Sequence, residues 1–466
     1  MKCSRPSRTK QRFGNFGHRP AYSCAKLFRT ISYPRFHIFG LTKLDIHSAK
    51  QVGPRHGSLG DFQGLLNAIR SFNGAKVARL LSLDNEAQRL AVRQGSSPNG
   101  TLPESALRYI HTRTCGLVHD CKEHWAVVLR SHYLCLAALL SNNHDQAFLH
   151  MADYISDMNS IFREENGAWM VPVVTQTAEA LRLLANKADE QLLSQRQHQC
   201  RKEAAGSWLQ KFYSTAKTLK GNQNKSMALL PVVNTMFKLY FKLNTLRNCK
   251  PCIQAVEHPN FSFTSFPQSE RVTYKYFAGR LAIFQDQLAK AEADLEYAFN
   301  HCPADAWHNK RLCLYFLVPV RLLAGSLPSE AHLAAFNLQI YIPFVQAMKS
   351  GSTQQLAAAL KQHQVELIRK GVYLQLVKLQ PIVMRRLLKR SWVINREGNE
   401  KGHLLPLGQL QKAIRWQQMD MDEDDVECAV ANLIHKKYVK GYISHKNQVL
   451  VLSKADPFPA VSAQQI

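Results

Sequence analysis

From Asp61 onward the apolar residues of this chain return every three or four positions, segment after segment, for roughly 300 residues. That period belongs to helices, and it rules out a sheet protein before composition is consulted. Phe62, Leu65, Leu66 and Ile69, then Val77, Leu80 and Leu81, predict two short helices parted at Asn73-Gly74. A polar gap follows at Gly95–Gly100. Trp125–Leu140 reads as a strong helix, broken at Ser141–His144, with Ala147–Phe162 as its partner and Ala168–Leu184 next. Leu229–Leu243 pairs with Leu246–Val256 across Asn244-Thr245, and Val272–Phe284 pairs with Ala289–Phe299 across Gln285–Gln287. Such pairs stack to bury each other's stripes, which predicts an α-solenoid, although the tetratricopeptide consensus is absent. Gln195–Glu203 and Glu257–Gln268 read as loops. Arg311–Leu323, Glu330–Phe336, Tyr341–Lys349, Thr353–Arg369 and Val372–Arg390 continue the helices.

The pattern changes at Met419. Five carboxylates, Asp420, Asp422, Glu423, Asp424 and Asp425, precede Val426, Val430 and Leu433 on one helical face, and Lys436 and Lys437 close it. Acids first and bases last suit the helix macrodipole. Short β-type runs, Val439–Ile443 and Val449–Leu452, flank a polar turn at His445-Lys446-Asn447. Helix then hairpin predicts a winged helix. The fold class is mainly α, a solenoid of helix pairs with a C-terminal winged helix.

Charge narrows the partners. The net formal charge is +26, and residues 1–56 hold twelve Lys/Arg against the single acid Asp45. Residues 1–58 lack a helical period and are expected to be disordered. A transit peptide, a nucleic-acid-binding arm and a functionless extension remain open for them. The rest is also basic, so nucleic acid or an acidic protein is the expected partner. No apolar run approaches a membrane span; the best, Leu312–Val320, contains Pro319 and stops at Arg321. Eleven scattered cysteines, several among apolar helical residues (Cys135, Cys313, Cys428), point to a reducing compartment.

Catalytic motifs are missing: the sequence has no phosphate loop, nucleophile elbow or zinc-protease His pair, so no enzyme is expected. Cys115, His119, Cys121 and His124 lack zinc-knuckle spacing, Cys249 and Cys252 lack a second pair, and no metal or other cofactor is expected. The acid run is not a calcium loop, having Asp425 at the sixth position and Ala431 at the twelfth. Arg271–Phe277 looks like an aromatic, basic patch, but Val272, Tyr276, Gly279 and Ile283 repeat at helical spacing, and core is the better reading.

A recognition helix that begins with five carboxylates cannot read bases, because those charges would face phosphates. Sequence-independent backbone contact is instead assigned to the far end, Lys436, Lys437 and Lys440, and to His445 and Lys446 on the wing. Arg385, Arg386, Lys389 and Arg390 form the densest basic cluster of the folded part and join that candidate interface. For both groups an ordinary solvated face is the alternative.

Four stretches carry a resemblance: Val233–Leu243 (VNTMFKLYFKL), Arg271–Arg280 (RVTYKYFAGR), Leu317–Leu322 (LVPVRL) and Ala431–Ser444 (ANLIHKKYVKGYIS), with Ser453–Pro459 closing the match. With repeats first and a winged helix last, the chain resembles the PCI superfamily, and within it the PCI subunit of the nuclear-pore mRNA-export complex. The likeness spans about residues 61 to 459. With the basic extension over 1–58 outside the likeness, the expected organisation is a helical-repeat region over 59–268, a PCI domain over 269–455 with its winged helix from about 380, and a tail over 456–466. It further implies an mRNA-export adaptor in the nucleus, with a possible cytoplasmic pool. That adaptor would bind a large helical scaffold subunit, a small acidic disordered subunit and RNA or DNA, with no membrane contact. A structural PCI subunit of a signalosome-like or proteasome-lid-like assembly, without nucleic acid, is the alternative. Asn395–His403 (NREGNEKGH) reads as an insertion before the winged helix.

Overall fold

The computed structural model describes residues 61–96, 101–117, 122–164, 167–218, 223–259, 261–397 and 402–461. The N-terminal extension, His119, Cys121 and residues 398–401 of the insertion lie outside them. The chain opens with α1 (Phe62–Arg70), α2 (Gly74–Leu80), α3 (Glu86–Gly95) and α4 (Glu104–Cys115). Asp61, Asn73 and Asn85 cap the first three by accepting from the backbone N–H three residues on. The pattern reading passes over α3 and α4. The first buries only Gln88 and Val92 and the second only Ile110 and Thr114, too few positions to show a period.

The long pairs come next: α5 (Lys122–Leu140), α6 (His144–Arg163), α7 (Val171–Ser194), α8 (Arg201–Thr218), the single turn α9 (Gln223–Ser226), α10 (Leu229–Leu243) and α11 (Cys249–Val256). Helix α8 begins inside the stretch read as a loop. Its cap is Asp189, a buried residue of α7 whose carboxylate accepts from the backbone N–H of Arg201 and Lys202 at 2.9 and 3.2 Å. A cap supplied by another helix leaves no local signal in the sequence.

Each pair is closed by the same device. Asn142 ends α5 in the left-handed region, and the N–H of Asn143 reaches back to Ala138 O. Asn244 does the same after α10, with Thr245 N–H on Tyr240 O. Asp286 does so after α12 (Gln268–Phe284), with Gln287 N–H on Ala282 O. This is the Schellman closure, which satisfies the helix-end carbonyls and reverses the chain within two residues.

The centre of the chain packs α12 between α10, α13 (Leu288–His301) and α14 (Trp307–Leu323). Val272, Tyr276 and Ile283 are buried, as their spacing predicts. Gly279 lets α13 approach: a Cβ there would stand 2.7 Å from Leu295 Cγ and 3.2 Å from its backbone N. The next residue, Arg280, is buried with its guanidinium 4.5 Å from the Phe241 ring centre and 4.4 Å from that of Phe316, so one cation joins α10, α12 and α14.

Then follow α15 (Glu330–Ala335), α16 (Ile342–Ser350), α17 (Thr353–Gln362), α18 (Gln364–Lys370), α19 (Tyr373–Val377) and α20 (Gln380–Arg396). The segment read as one helix from Thr353 breaks at His363. The segment read from Val372 restarts as α20, with Pro381 in its first turn. The winged helix is larger than its sequence signature. It takes α20 as first helix, then β1 (Leu404–Pro406), α21 (Leu407–Trp416), α22 (Glu423–His435), β2 (Gly441–Ser444) and β3 (Val449–Leu452). The sheet order is β1-β3-β2, all antiparallel, with Leu404 opposite Val451 and Ser444 opposite Val449. Three residues are too few for β1 to announce itself by alternation, and Leu405 is its one buried side chain. Gln417 fastens the unit to the solenoid: its Oε1 accepts from the backbone N and Oγ1 of Thr353 at 2.7 and 2.8 Å, and its Nε2 donates to Gly351 O at 3.3 Å.

Substitution of Gly279 tests the α12–α13 contact. Gly279→Val gains under about 1 kcal/mol of helix propensity but forces α13 outward at a cost of about 1–3 kcal/mol. A lowered thermal midpoint with unchanged far-ultraviolet circular dichroism is expected.

Candidate nucleic-acid interface

Helix α22 carries its charges at opposite ends. Asp422 is the N-cap, its Oδ1 accepting from Asp425 N–H at 2.7 Å, and Asp420, Asp422, Glu423, Asp424 and Asp425 are all exposed. Val426, Val430 and Leu433 face the core. At the other end Lys437 takes the left-handed conformation (φ 58°), and Tyr438 N–H donates to Leu433 O. The turn drives Tyr438 and Val439 into the core and leaves Lys436 and Lys437 in solvent.

Lys440 is exposed too, with Nζ 3.1 Å from Asp456 Oδ2, so part of its charge is already neutralised. Lys446 lies on the wing tip, the 3-10 turn His445–Asn447. His445 pins that wing to α22 through Nδ1 and Glu427 Oε2 at 2.8 Å. The hydrogen bond and the charge of Glu427 raise the His445 pKa above its ordinary value. Among the described residues Lys436, Lys437 and Lys446 have no ion-pair partner. Glu427 stands in the second turn of α22 and the Asp424 charge also reaches His445, so the wing tip with Lys446 lies beside the acidic end of the helix, about 15 Å along it from Lys436 and Lys437. The sequence reading groups the two, and the structure separates them.

The cluster on α20 divides. Arg385 is half-buried: Nε donates to Tyr438 O at 2.9 Å and Nη2 to Pro459 O at 2.5 Å. Burial, then the adjacent Arg386, lowers its pKa. Its guanidinium clamps the end of α22 and the C-terminal tail onto α20, so it positions the lysine edge. Lys389 lies 6.0 Å from the centre of the Phe458 ring on the same side. Arg386 and Arg390 point elsewhere, donating to Lys349 O and Ser350 O at the end of α16 at 3.4 and 2.5 Å. There they meet carbonyls that a helix terminus leaves unpaired. Sequence reading treats the four as one basic cluster of the candidate interface because it cannot see the two neighbours, the tail and α16. It also passes over Gln417 and Trp416; the one available signal is an isolated tryptophan ending a polar helix.

The cysteine candidates occupy unlike settings. Cys249 and Cys252 are buried where α11 meets α10; burial raises both thiols, Cys252 up to about 12. Cys115 Sγ is 3.8 Å from His111 Nδ1, while His124 Nδ1 pairs with Asp157 Oδ1 at 2.7 Å. Among the described residues no three His, Cys, Asp or Glu side chains gather to hold a metal ion, and no helix is long and apolar enough to cross a membrane.

Comparison with known proteins places this geometry among relatives. The PCI domain family matches residues 360–454. Over 323 residues the chain is 37% identical to Enhanced ethylene response protein 5 of Arabidopsis thaliana, an overlap of 69% of this chain and 78% of that protein. Over 354 residues it is 36% identical to a PCI domain-containing protein 2 homolog of Dictyostelium discoideum (73% and 79%). Over 348 residues it is 34% identical to PCI domain-containing protein 2 of Xenopus laevis (71% and 84%).

Two outcomes test the local chemistry. Arg385→Ala removes charged hydrogen bonds to two carbonyls and is expected to cost about 1–2 kcal/mol, given partial exposure, and to open the tail beyond Ser453 to limited proteolysis. Lys436→Glu with Lys437→Glu should leave the melting curve unchanged. For His445 the folded pKa exceeds the unfolded one, so the wing contact is complete below the unfolded value and lost as pH rises through the folded value. An NMR titration should place His445 above its ordinary pKa, and Glu427→Gln should bring it down.

Proposed function

The chain belongs to the PCI domain-containing protein 2 family, and from that membership we propose that it is a non-enzymatic adaptor subunit of a PCI assembly serving transcription-coupled mRNA export. In this reading the helical rod seats a large helical scaffold subunit and a small acidic extended subunit at the nuclear pore. The winged helix then touches RNA or DNA through phosphate contacts, without reading base sequence. The observation that carries the nucleic-acid contact is the polarity of α22: exposed acids at its first turn, and Lys436, Lys437 and Lys440 exposed at its far end. Phosphate is repelled at one end and attracted at the other, so contact is made edge-on and without base reading. The net charge of +26 favours the acidic partner chain on the same grounds.

The test is single-stranded RNA binding by the protein with its co-purified partners, measured across salt. A log–log salt slope of about −2 to −3 is expected from three or four phosphate contacts. Charge reversal of Lys436, Lys437 and Lys440 together should weaken binding at least tenfold and flatten the slope. Unchanged binding in that variant would reduce the protein to a structural subunit without nucleic-acid contact. Identification of the co-purified chains tests the export assignment separately.

A further inference from the structure

Arg386 and Arg390 border a second surface, on the far side of α20 from the lysine edge. Arg386, Arg390 and Gln417 donate to three consecutive carbonyls, Lys349, Ser350 and Gly351. Both arginines and the end of α21 therefore flank one turn. The residue before Gln417 is Trp416, which is 86% exposed. Among the described residues no ring stacks on it and no polar group meets its indole N–H.

Helix α21 contains no acidic residue, and Gly408, Lys412, Arg415 and Trp416 share its solvent side within an arc of about 100°. Neither Lys412 and Arg415 nor Arg386 and Arg390 have an ion-pair partner among the described residues. The acidic run that follows leaves by another flank. Met421 O accepts from Gln411 Nε2 at 3.1 Å, and Gln411 stands about 140° around the helix from Trp416.

Two cations on the face of α21 that bears a bare indole, and two more at the turn on which the end of that helix packs, with the acids turned aside, make a stacking platform with phosphate ligands on its rim. We propose that this face takes a single strand of nucleic acid, one base stacking on Trp416 while phosphates lie against Arg386, Arg390, Lys412 and Arg415. The inference rests on the nucleic-acid reading given above and adds selectivity for unpaired strands. In a duplex both faces of each base are already stacked, so the indole gains nothing. An acidic peptide would satisfy the cations but leave the ring in water; a nucleotide answers both.

The experiment uses the full chain with a fluorescent oligouridine of about 20 nucleotides and a duplex of equal length. Trp416→Ala should weaken the single strand about tenfold and leave the duplex unchanged. Trp416→Phe, which keeps a ring, should retain most of the affinity. Unchanged melting curves establish that both variants fold. Single-strand binding equal to wild type in Trp416→Ala, or equal loss on strand and duplex, overturns the proposal. The lysine edge is separable: Lys436→Glu with Lys437→Glu should weaken both probes. If that pair is neutral while Trp416→Ala discriminates, the edge reading falls and this one stands; the reverse result sinks only this one. No binding of either probe removes both. If Trp416→Ala instead loses a co-purifying protein and keeps the oligonucleotide, the face is a protein contact and the proposal is wrong.

Discussion

The structure depends on how its helices stop. A left-handed residue at the end of several helices, followed by an N–H reaching five residues back, reverses the chain within two residues. Asn142, Asn244 and Asp286 do this in the solenoid, and Gln418 and Lys437 do it in the winged helix. Each such residue without a glycine costs about 1 kcal/mol of backbone strain. Asn and Asp reduce that cost, and the carbonyls satisfied at the helix end offset it. Short turns force neighbours antiparallel and in contact, so each apolar stripe finds a partner without long-range instruction. The closure at Lys437 shapes the candidate interface, because the bend that buries Tyr438 also holds Lys436 and Lys437 outward.

Polar contacts between distant segments then fix what the turns leave free. Asp189 caps a helix twelve residues away, Gln417 holds the Gly351–Thr353 turn, and Arg385 ties the tail to α22. Arg280 is the apolar counterpart, a cation used as a spacer between Phe241 and Phe316. None of these connects neighbours in sequence.

That distinction explains what could be read in advance. Leu229–Leu243, Trp125–Leu140 and the α22 face were legible because a buried stripe repeats often enough to be seen. The role of Gly279 followed from its place on such a stripe. Helices α3 and α4, with one or two buried positions each, had no stripe to show, and α8 was hidden because its cap comes from Asp189. Strand β1 is defined by its pairing with β3, so it left no signal of its own in the sequence. At the candidate interface, lysines at a helix end could be named from local charge alone. The division of Arg385 and Lys389 from Arg386 and Arg390 could not, since it is set by the tail and by α16.

The charge layout of α22 has a consequence for how partners meet this protein before any contact forms. Its carboxylates and lysines are separated by thirteen residues of helix, a span of about 20 Å, twice the distance over which physiological salt damps a field. To an approaching polyanion the domain is an electric dipole, not a uniformly basic body. The field of the polyanion exerts a torque that swings the lysine end of α22 forward and the acidic end back. Orientation is selected during the encounter, and the rate of productive collision becomes more sensitive to ionic strength than the stability of the final complex.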